Sequence, residues 1–187
     1  MTTFEEKVYL EVKKIPKGKV DTYKGIAIKA GYPNAARTVG NALHKNPDHK
    51  NIPCHRVVNS NGECSGSYAF GGKDAQEKLL IKEGIKFVKG TKSILTKDMV
   101  YSGINNYCHH NFDWSIAKDN PDMMYVEIGE ETDTEYEVIF RSYTGSFTYF
   151  YVSKSDGKTR IVEYVPTLDI REESGTINIF DYLDKNN

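Results

Sequence analysis

The sequence predicts an α+β protein, in which a mostly helical domain resembling a winged helix-turn-helix precedes a small antiparallel β-rich domain. Apolar residues recur at helical spacing early in the chain, and runs rich in β-branched and aromatic residues mark its later part. Residues 1–100 carry 18 of the 25 Lys and Arg and 10 of the 26 Asp and Glu, a balance of +8. The remainder therefore carries 7 basic and 16 acidic residues, a balance of −9. We expect domains at residues 1–98 and 123–187, joined through residues 99–122.

Composition restricts the class of protein and its expected compartment. The chain of 187 residues is 39% hydrophobic and 27% charged, as globular proteins are. It has no run approaching the roughly 20 apolar residues that cross a membrane, and its first residues lack a signal-peptide pattern. Three cysteines are too few for a disulfide scaffold, which favours a reducing compartment. We therefore expect an intracellular protein with no membrane partner, cytoplasmic in a prokaryote and nuclear in a eukaryote.

The first predicted helix has a capping signal and a single apolar face. Thr3 and Glu6 have the spacing of a capping box. Pro16 and Gly18 are expected to end the helix. Its apolar face comprises Phe4, Val8, Val12 and Ile15.

Two further helices have the pattern of a helix-turn-helix. Asp21 or Thr22 is expected to cap a helix that begins at Tyr23 and stops at Gly31. Asn34 is expected to cap the next helix, which covers residues 35–45. Short helices joined by a turn that contains Gly and Pro are typical of this motif.

The rest of the first domain is predicted to hold a small wing and one more helix. Residues 59–62, Asn-Ser-Asn-Gly, give a strong turn signal between two short extended stretches, which would form the wing. A last helix is expected from Lys73 to Glu83, with Gly84 ending it.

The second half is predicted to form an antiparallel meander. Turn signals at residues 143–146 and 155–157 separate runs of β-forming residues. The predicted strands comprise residues 136–140, 147–152 and 160–164. Before them, Gly103, Asn105 and Asn106 interrupt any regular pattern, so residues 99–122 are expected to be irregular.

The sequence around Cys54 carries the chemistry. A thiol attacks carbon as the thiolate, and a free cysteine is only a few per cent thiolate at neutral pH, so a neighbouring base is needed. His55 is the obvious base, and Glu83 is a carboxylate that could orient it. For an isolated Cys-His pair, a buried small residue beside a packed imidazole would be the simpler interpretation.

Residues 52–58, Ile-Pro-Cys-His-Arg-Val-Val, resemble the active-site signature of the O6-alkylguanine-DNA alkyltransferases, the methylated-DNA–protein-cysteine methyltransferases. The similarity extends from about Phe4 to Phe87. The further matching motifs, in order, are residues 18–23, 35–40, 46–47, 68–71 and 83–84. The resemblance implies repair of O6-alkylguanine, and less readily O4-alkylthymine, by one irreversible alkyl transfer to Cys54. It implies no cofactor.

The resemblance also implies roles for the catalytic residues. His55 would take the Cys54 proton through a bridging water, and Glu83 would complete the relay. Tyr23 would donate a hydrogen bond or a proton to the leaving guanine, where negative charge develops. Asn46 would hold the turn that carries Cys54 against the recognition helix.

The partner implied by the resemblance is double-stranded DNA, bound from the minor-groove side with the damaged nucleotide flipped out. Arg37 would fill the gap left in the base stack, and small residues would allow the recognition helix to approach. The residues implied to contact DNA or the base are Arg37, Ala35, Ala36, Gly40, Val57 through its carbonyl, and Tyr68 by stacking.

Two local features affect this interpretation. Relatives commonly have Gly-Tyr where this chain has Gly66-Ser67-Tyr68, an apparent insertion that bears on the placement of Tyr68. The run Cys108-His109-His110 suggests a metal site, but three consecutive residues rarely all reach one ion. No metal site is predicted.

Three other classes of function stay open at the level of sequence. An alkyltransferase-like sensor would flip damaged bases and recruit other repair factors, but such proteins lack the cysteine. A winged-helix regulator would use Cys54 as a redox switch and bind DNA sequence-specifically. A protein-interaction module would depend mainly on the acidic second domain, for which the sequence names no partner.

Overall fold

The computed structural model describes residues 2–183 and divides into two compact units, Met1–Asp98 and Met99–Asn187. Helices dominate the first unit and an antiparallel sheet dominates the second, which confirms the predicted α+β class. Short 3-10 turns occur at Cys54–Arg56, Ser115–Ala117, Pro121–Met123 and Ile179–Asp181. Within residues 2–183, no helix combines the length and apolar character that a membrane span requires.

The first helix, α1 (Thr3–Lys13), is capped one residue earlier than the sequence predicts. Thr2 is the N-cap, and its side chain and that of Glu5 form the reciprocal capping box. The assignment of the capping box to Thr3 and Glu6 is therefore wrong. The sequence does not distinguish the two pairs, because both have the same three-residue spacing. The apolar face is as predicted: Val8, Val12 and Ile15 are buried, and Phe4 packs against the same core.

The predicted helix-turn-helix is present. After the two-residue strand β1 (Asp21–Thr22), Thr22 caps α2 (Tyr23–Lys29) by accepting a hydrogen bond from the Gly25 amide at 2.9 Å. The next helix, α3 (Ala36–His44), has Ala35 as its N-cap and no side-chain cap, so the predicted Asn34 cap is wrong.

The predicted turn at residues 59–62 forms, but its flanking stretches pair elsewhere. The Asn59 amide donates to the Glu63 carbonyl at 2.9 Å, and Gly62 has a left-handed φ of +75°. The preceding strand, β2 (Val57–Val58), pairs in parallel with β1, and Glu63 bridges Ser93 instead of returning along β2. This pairing fixes the Cys54–Arg56 turn to the start of α2.

The last helix of the first unit, α4 (Gly72–Lys82), lies within one residue of its predicted bounds. Glu83 follows as its C-cap, and Gly84 has a left-handed φ of +92°. Leu80 packs in a small core with Val58, Cys64 and Ile94. Glu83 is thereby held next to the Cys54–Arg56 turn.

A helix occupies the first part of the segment, residues 99–122, that is predicted to be irregular. α5 (Lys97–Asn111) continues through Gly103 and Asn106. A Cβ on Gly103 would lie 2.5 Å from Ile179 Cγ1, and Asn106 Nδ2 donates to the Tyr182 carbonyl at 2.9 Å. These residues serve packing within the second unit, so their interpretation as helix breaks is wrong.

The second unit contains a five-stranded antiparallel meander in chain order. Its strands are β3 (Tyr125–Glu131), β4 (Glu135–Arg141), β5 (Phe147–Ser153), β6 (Lys158–Val165) and β7 (Ile170–Asn178). The predicted meander is confirmed for the three central strands, and two outer strands were not predicted. One face of the sheet is buried by alternating residues such as Val138, Phe140 and Phe150.

Candidate active site

Cys54 begins the 3-10 turn between Pro53 and β2, and it is only 4% exposed. Asn46, itself 7% exposed, donates from Nδ2 to Cys54 Sγ at 3.2 Å and to the Ile52 carbonyl at 2.9 Å. The Asn46 side-chain oxygen accepts from the Asp48 amide at 3.0 Å. One buried amide therefore aims a donor at the sulfur and ties the loop ahead of Cys54 to the end of α3.

Burial and hydrogen bonding shift the pKa of the Cys54 thiol in opposite directions. Burial raises the pKa of the Cys54 thiol, because the thiolate loses its hydration. Hydrogen bonds from Asn46 and the Tyr68 hydroxyl act in the opposite direction by stabilising the thiolate. The thiol therefore keeps its proton at neutral pH, and a base must remove it before attack, while the Asn46 amide is in place to stabilise the negative sulfur.

His55 and Glu83 are in contact, as the sequence predicts. His55 Nε2 lies 3.0 Å from Glu83 Oε1. Because a carboxylate only accepts hydrogen bonds, Nε2 carries the hydrogen, and Nδ1 is left as the basic nitrogen of the neutral ring. The side chains of Cys54 and His55 have different partners, since the thiol contacts Asn46 and the imidazole contacts Glu83.

Arg56 is an additional member of this group that the sequence did not assign. Its Nε donates to Glu83 Oε2 at 2.8 Å, and Nη2 donates to Glu83 Oε1 at 2.7 Å. Its Nη1 donates to the Ile15 carbonyl at 2.7 Å. The bidentate guanidinium fixes the plane of the carboxylate that holds His55.

The charge of Glu83 is secured by the same contacts. Burial alone would raise the pKa of this carboxyl, but the hydrogen bonds from Arg56 and His55, together with the charge of Arg56, outweigh it and hold the pKa at about 2. Glu83 is therefore a carboxylate throughout the physiological range. Its position at the end of α4, which the helix dipole disfavours for an anion, is compensated by Arg56.

Gln76 is a second residue that the sequence did not assign. It is fully buried on α4, and Nε2 donates to the carbonyls of His55 and Val57 at 3.0 and 2.8 Å. Its Oε1 accepts from the Ser65 amide at 2.8 Å. Val57 is also fully buried, and its carbonyl retains one lone pair for another donor after bonding to Gln76.

Tyr23 and Tyr68 line the approach to the thiol. Tyr23 is the first residue of α2 and is partly buried. Burial raises the pKa of Tyr23 and of Tyr68, so both phenols stay protonated and available as donors. The Tyr68 ring meets Phe70 edge-on at 5.7 Å.

The residues predicted to contact DNA, other than Val57 and Tyr68, lie together at the start of α3. Ala35 is the N-cap, Ala36 is the first helical residue, and Arg37 follows with its side chain exposed. Gly40, one turn later, leaves the Tyr23 ring within 3.8 Å of where a Cβ would lie. The small residues leave little side-chain bulk on this part of the α3 surface, and the long side chain of Arg37 is exposed beside them.

The other two cysteines differ from Cys54. Cys64 is buried among the residues around Leu80, and burial raises the pKa of its thiol to about 11. Cys108 lies in α5, and burial raises the pKa of its thiol to about 12. His109, next to it, stacks on Trp114 with ring centroids 4.0 Å apart. Among the hydrogen bonds of residues 2–183, neither of these thiols receives one from a side chain as Cys54 does from Asn46.

Comparison with known proteins places the similarity in the first unit. Residues 3–85 match the family model described as 6-O-methylguanine DNA methyltransferase, DNA binding domain. The methylated-DNA–protein-cysteine methyltransferase of Cricetulus griseus is 40% identical over 102 residues, which cover 54% of this chain and 46% of that protein. The chain spans about half the length of the curated methyltransferases that it matches.

Shorter relatives are covered almost completely. A DNA base-flipping protein of Vibrio parahaemolyticus is 40% identical over 99 residues, which cover 52% of this chain and 95% of that protein. Among solved structures, S. pombe Atl1 in complex with damaged DNA containing O6-carboxymethylguanine is 39% identical. That match covers 48% of this chain and 83% of the solved chain, with a TM-score of 0.43.

Proposed function

The chain belongs to the 6-O-methylguanine DNA methyltransferase family, and on this premise we propose that residues 1–98 repair alkylated DNA by transferring the alkyl group to Cys54. The activity is that of a methylated-DNA–[protein]-cysteine S-methyltransferase that turns over once. The observation that carries the proposal is the buried Cys54 sulfur, which receives a hydrogen bond from Asn46 and lies beside the His55–Glu83 pair.

Activation of the nucleophile begins with the proton of Cys54. A bridging water carries it to Nδ1 of His55, because the adjacent side chains diverge and Nε2 is occupied by Glu83. The imidazolium that forms is stabilised by the carboxylate of Glu83, which Arg56 holds in place. The sulfur then becomes a thiolate within reach of the Asn46 and Tyr68 donors.

The transfer itself is a displacement at the alkyl carbon. The thiolate electron pair forms the S–C bond, and the C–O bond breaks with its electrons passing to the guanine ring. Tyr23, whose phenol is protonated, donates to that developing anion. The thioether has no easy hydrolytic exit, so each molecule acts once and the reaction needs no cofactor.

The substrate follows from the depth of the thiol. A base stacked in a duplex cannot present its O6 substituent to a sulfur whose residue is 4% exposed, so the nucleotide must be flipped out. Arg37, exposed at the start of α3, fills the vacated stack, and Ala35, Ala36 and Gly40 let the helix approach the minor groove. The +8 balance of residues 1–100 favours the phosphate backbone.

The flipped base is recognised by the residues around Cys54. The second lone pair of the Val57 carbonyl accepts from the guanine edge, and Tyr68 stacks on the ring.

Cys54, Cys64 and Cys108 are all unpaired thiols, which fits an intracellular compartment. The acidic second unit, residues 99–187, forms an accessory domain whose partner is another protein.

A lesion-binding sensor is the second candidate, favoured by the near-complete coverage of the base-flipping protein. Substituting Cys54→Ser separates the two, because a hydroxyl is far less ionised than a thiol at neutral pH. We expect Cys54→Ser to abolish alkyl transfer from an O6-methylguanine duplex and to retain binding of that duplex. Binding and base flipping by the unsubstituted chain without any transfer would support the sensor instead.

A further inference from the structure

The open face of the sheet in the second unit carries an array of tyrosine and arginine side chains. α5 packs on the opposite face, where the Tyr107 ring meets the Phe150 ring with centroids 5.5 Å apart. Because side chains alternate along a strand, Tyr149 and Tyr151 of β5 point away from that helix. We propose that this face is the docking surface for an extended, basic segment of a partner protein. The inference rests on the proposed function only where that gives the second unit a protein partner.

Two guanidinium groups lie on the two tyrosine rings. The Arg160 Cζ atom lies 4.4 Å from the centre of the Tyr151 ring, and the Arg171 Cζ atom lies 4.6 Å from the centre of the Tyr149 ring. Nη2 of Arg171 also donates to the Tyr151 hydroxyl at 2.9 Å, so this side chain reaches from β7 across β6 to β5. The two rings are nearly parallel, with centroids 6.5 Å apart. Val162, which pairs with Tyr149 on the neighbouring strand, is only 6% exposed, so these large side chains form a continuous layer.

This tyrosine–arginine array has the composition of the centre of a protein interface. Tyr and Arg are over-represented at such centres, and a tyrosine ring buries a large area at a low cost in conformational entropy. Stacking already restricts the side chains of the array, which lowers the entropy that they would lose on binding. It also occupies only one face of each guanidinium, so the other face and most of its N–H donors are available to a partner. The array is therefore preorganised for contact with another protein.

A groove of about 500 Å³ lies along the array, and its charge selects a basic partner. Four carboxylates line it, and none of them belongs to an ion pair of residues 2–183. The two arginines of the array offset half of this charge and leave a net −2, within a half of the chain that carries −9. A cationic segment relieves the repulsion among the carboxylates, whereas a phosphate backbone would add to it. The four are Glu130, Glu135, Glu137 and Glu173.

The span of the groove sets the length of the bound segment. Its outermost carboxylates, Glu130 on β3 and Glu173 on β7, are four strand spacings apart. At about 4.8 Å for each spacing, this is roughly 19 Å, which about six residues of an extended chain cover. Alternate side chains of such a segment share one side, so Lys or Arg at every second position can face the carboxylates.

Peptide selection tests the chemistry of the partner. A random decapeptide library displayed on phage is selected against the immobilised full chain, and a fluorescein-labelled selected peptide is then titrated by fluorescence anisotropy. We expect the selected peptides to be enriched in Lys and Arg, and their affinity to fall as the salt concentration rises. A selection that yields no peptide, or yields acidic peptides, would overturn the proposal.

Variants of the array locate the binding. Arg171→Ala and Tyr151→Ala should each weaken binding of the selected peptide about tenfold or more, as truncations at the centre of an interface do. Glu173→Gln should weaken it by roughly twofold to fivefold and reduce its dependence on salt, because an exposed charge contributes less. Glu163→Gln, exposed on the opposite side of β6, is the matched control. Trp114 fluorescence shows whether the second unit of each variant stays folded.

Three further results would overturn the docking surface. The variants of the array could bind the peptide as tightly as the unsubstituted chain. They could instead lose binding of a single-stranded oligothymidine, which would make the face a nucleic-acid surface, or lose a self-association of the chain, which would make it an interface between copies. Alkyl transfer to Cys54 should be the same in all of these variants. A chain that binds the peptide but accepts no alkyl group would reject the proposed transfer and leave the docking surface standing.

Discussion

Glu83 offers a prediction whose magnitude follows from the structure. Its pKa falls from an ordinary 4.5 to about 2. Each tenfold change in proton affinity is worth about 1.4 kcal/mol, so ionised Glu83 contributes up to about 3 kcal/mol to the free energy of unfolding. Glu83→Gln removes the charge and should destabilise the first unit by up to about that amount at neutral pH.

The contribution of Glu83 to the free energy of unfolding decreases as the pH falls. Because the folded-state pKa lies below the unfolded value, the contribution is complete above pH 4.5 and is lost as the pH falls towards 2. The difference between the unsubstituted chain and Glu83→Gln should therefore shrink steadily across that window.

Urea unfolding followed by far-ultraviolet circular dichroism measures this difference, since four of the five α-helices of residues 2–183 lie entirely within the first unit. Trp114 is in the second unit, and its fluorescence shows whether that unit is affected. Glu6→Gln, at an exposed site on α1, should change stability by less than about 0.5 kcal/mol. A Glu83→Gln difference that stays constant from neutral pH to below pH 4.5 would refute the ion-pair account.

Two further predictions concern DNA. Arg37→Ala should slow repair of an O6-methylguanine duplex much more than reaction with free O6-benzylguanine, because the free base needs no extrusion; equal losses in rate assays with both would make Arg37 structural. A chain truncated after Asp98 should keep its reactivity at Cys54 and its duplex affinity, measured by fluorescence anisotropy from low to physiological salt. Markedly tighter binding of the truncated chain at low salt would instead make the acidic domain an electrostatic competitor of phosphate.

Local chemistry is sufficient to predict several elements of the fold. Thr22 caps the start of α2 at Tyr23, as its sequence position predicts. Gly31, the predicted stop, lies two residues after the last residue of the helix, Lys29. The start of α1 shows the limit of this information, because Thr2 with Glu5 and Thr3 with Glu6 are equivalent capping patterns. The structure selects the first pair.

The elements of the fold that the sequence did not predict depend on contacts with residues far away along the chain. Gly103 and Asn106 are weak helix formers, yet they lie within α5, where their partners Ile179 and Tyr182 are more than seventy residues away. The outer strand β7 is exposed along most of its length and has a register shift, so it lacks the alternating pattern by which strands are recognised.

Some residues of the candidate site could likewise be predicted from the sequence, and others could not. The signature around Cys54 and His55 locates the chemistry in the sequence, and Glu83 is where the motif expects it. The bonds from Arg56 to Glu83, and from Gln76 to His55 and Val57, join segments about twenty or more residues apart. A glutamine one turn before Leu80 on the buried side of α4 is the signal that could have identified Gln76, since a buried amide requires partners.

We expect Cys54 to accept one alkyl group from DNA, once. Intact-mass spectrometry after incubation with excess O6-methylguanine duplex tests it directly, with peptide mapping of the three cysteines. We predict a single methyl increment per molecule, located on Cys54, with Cys64 and Cys108 unmodified and no further conversion on prolonged incubation. An unchanged mass, or methylation of Cys54→Ser at the same rate as the unsubstituted chain, would contradict the account.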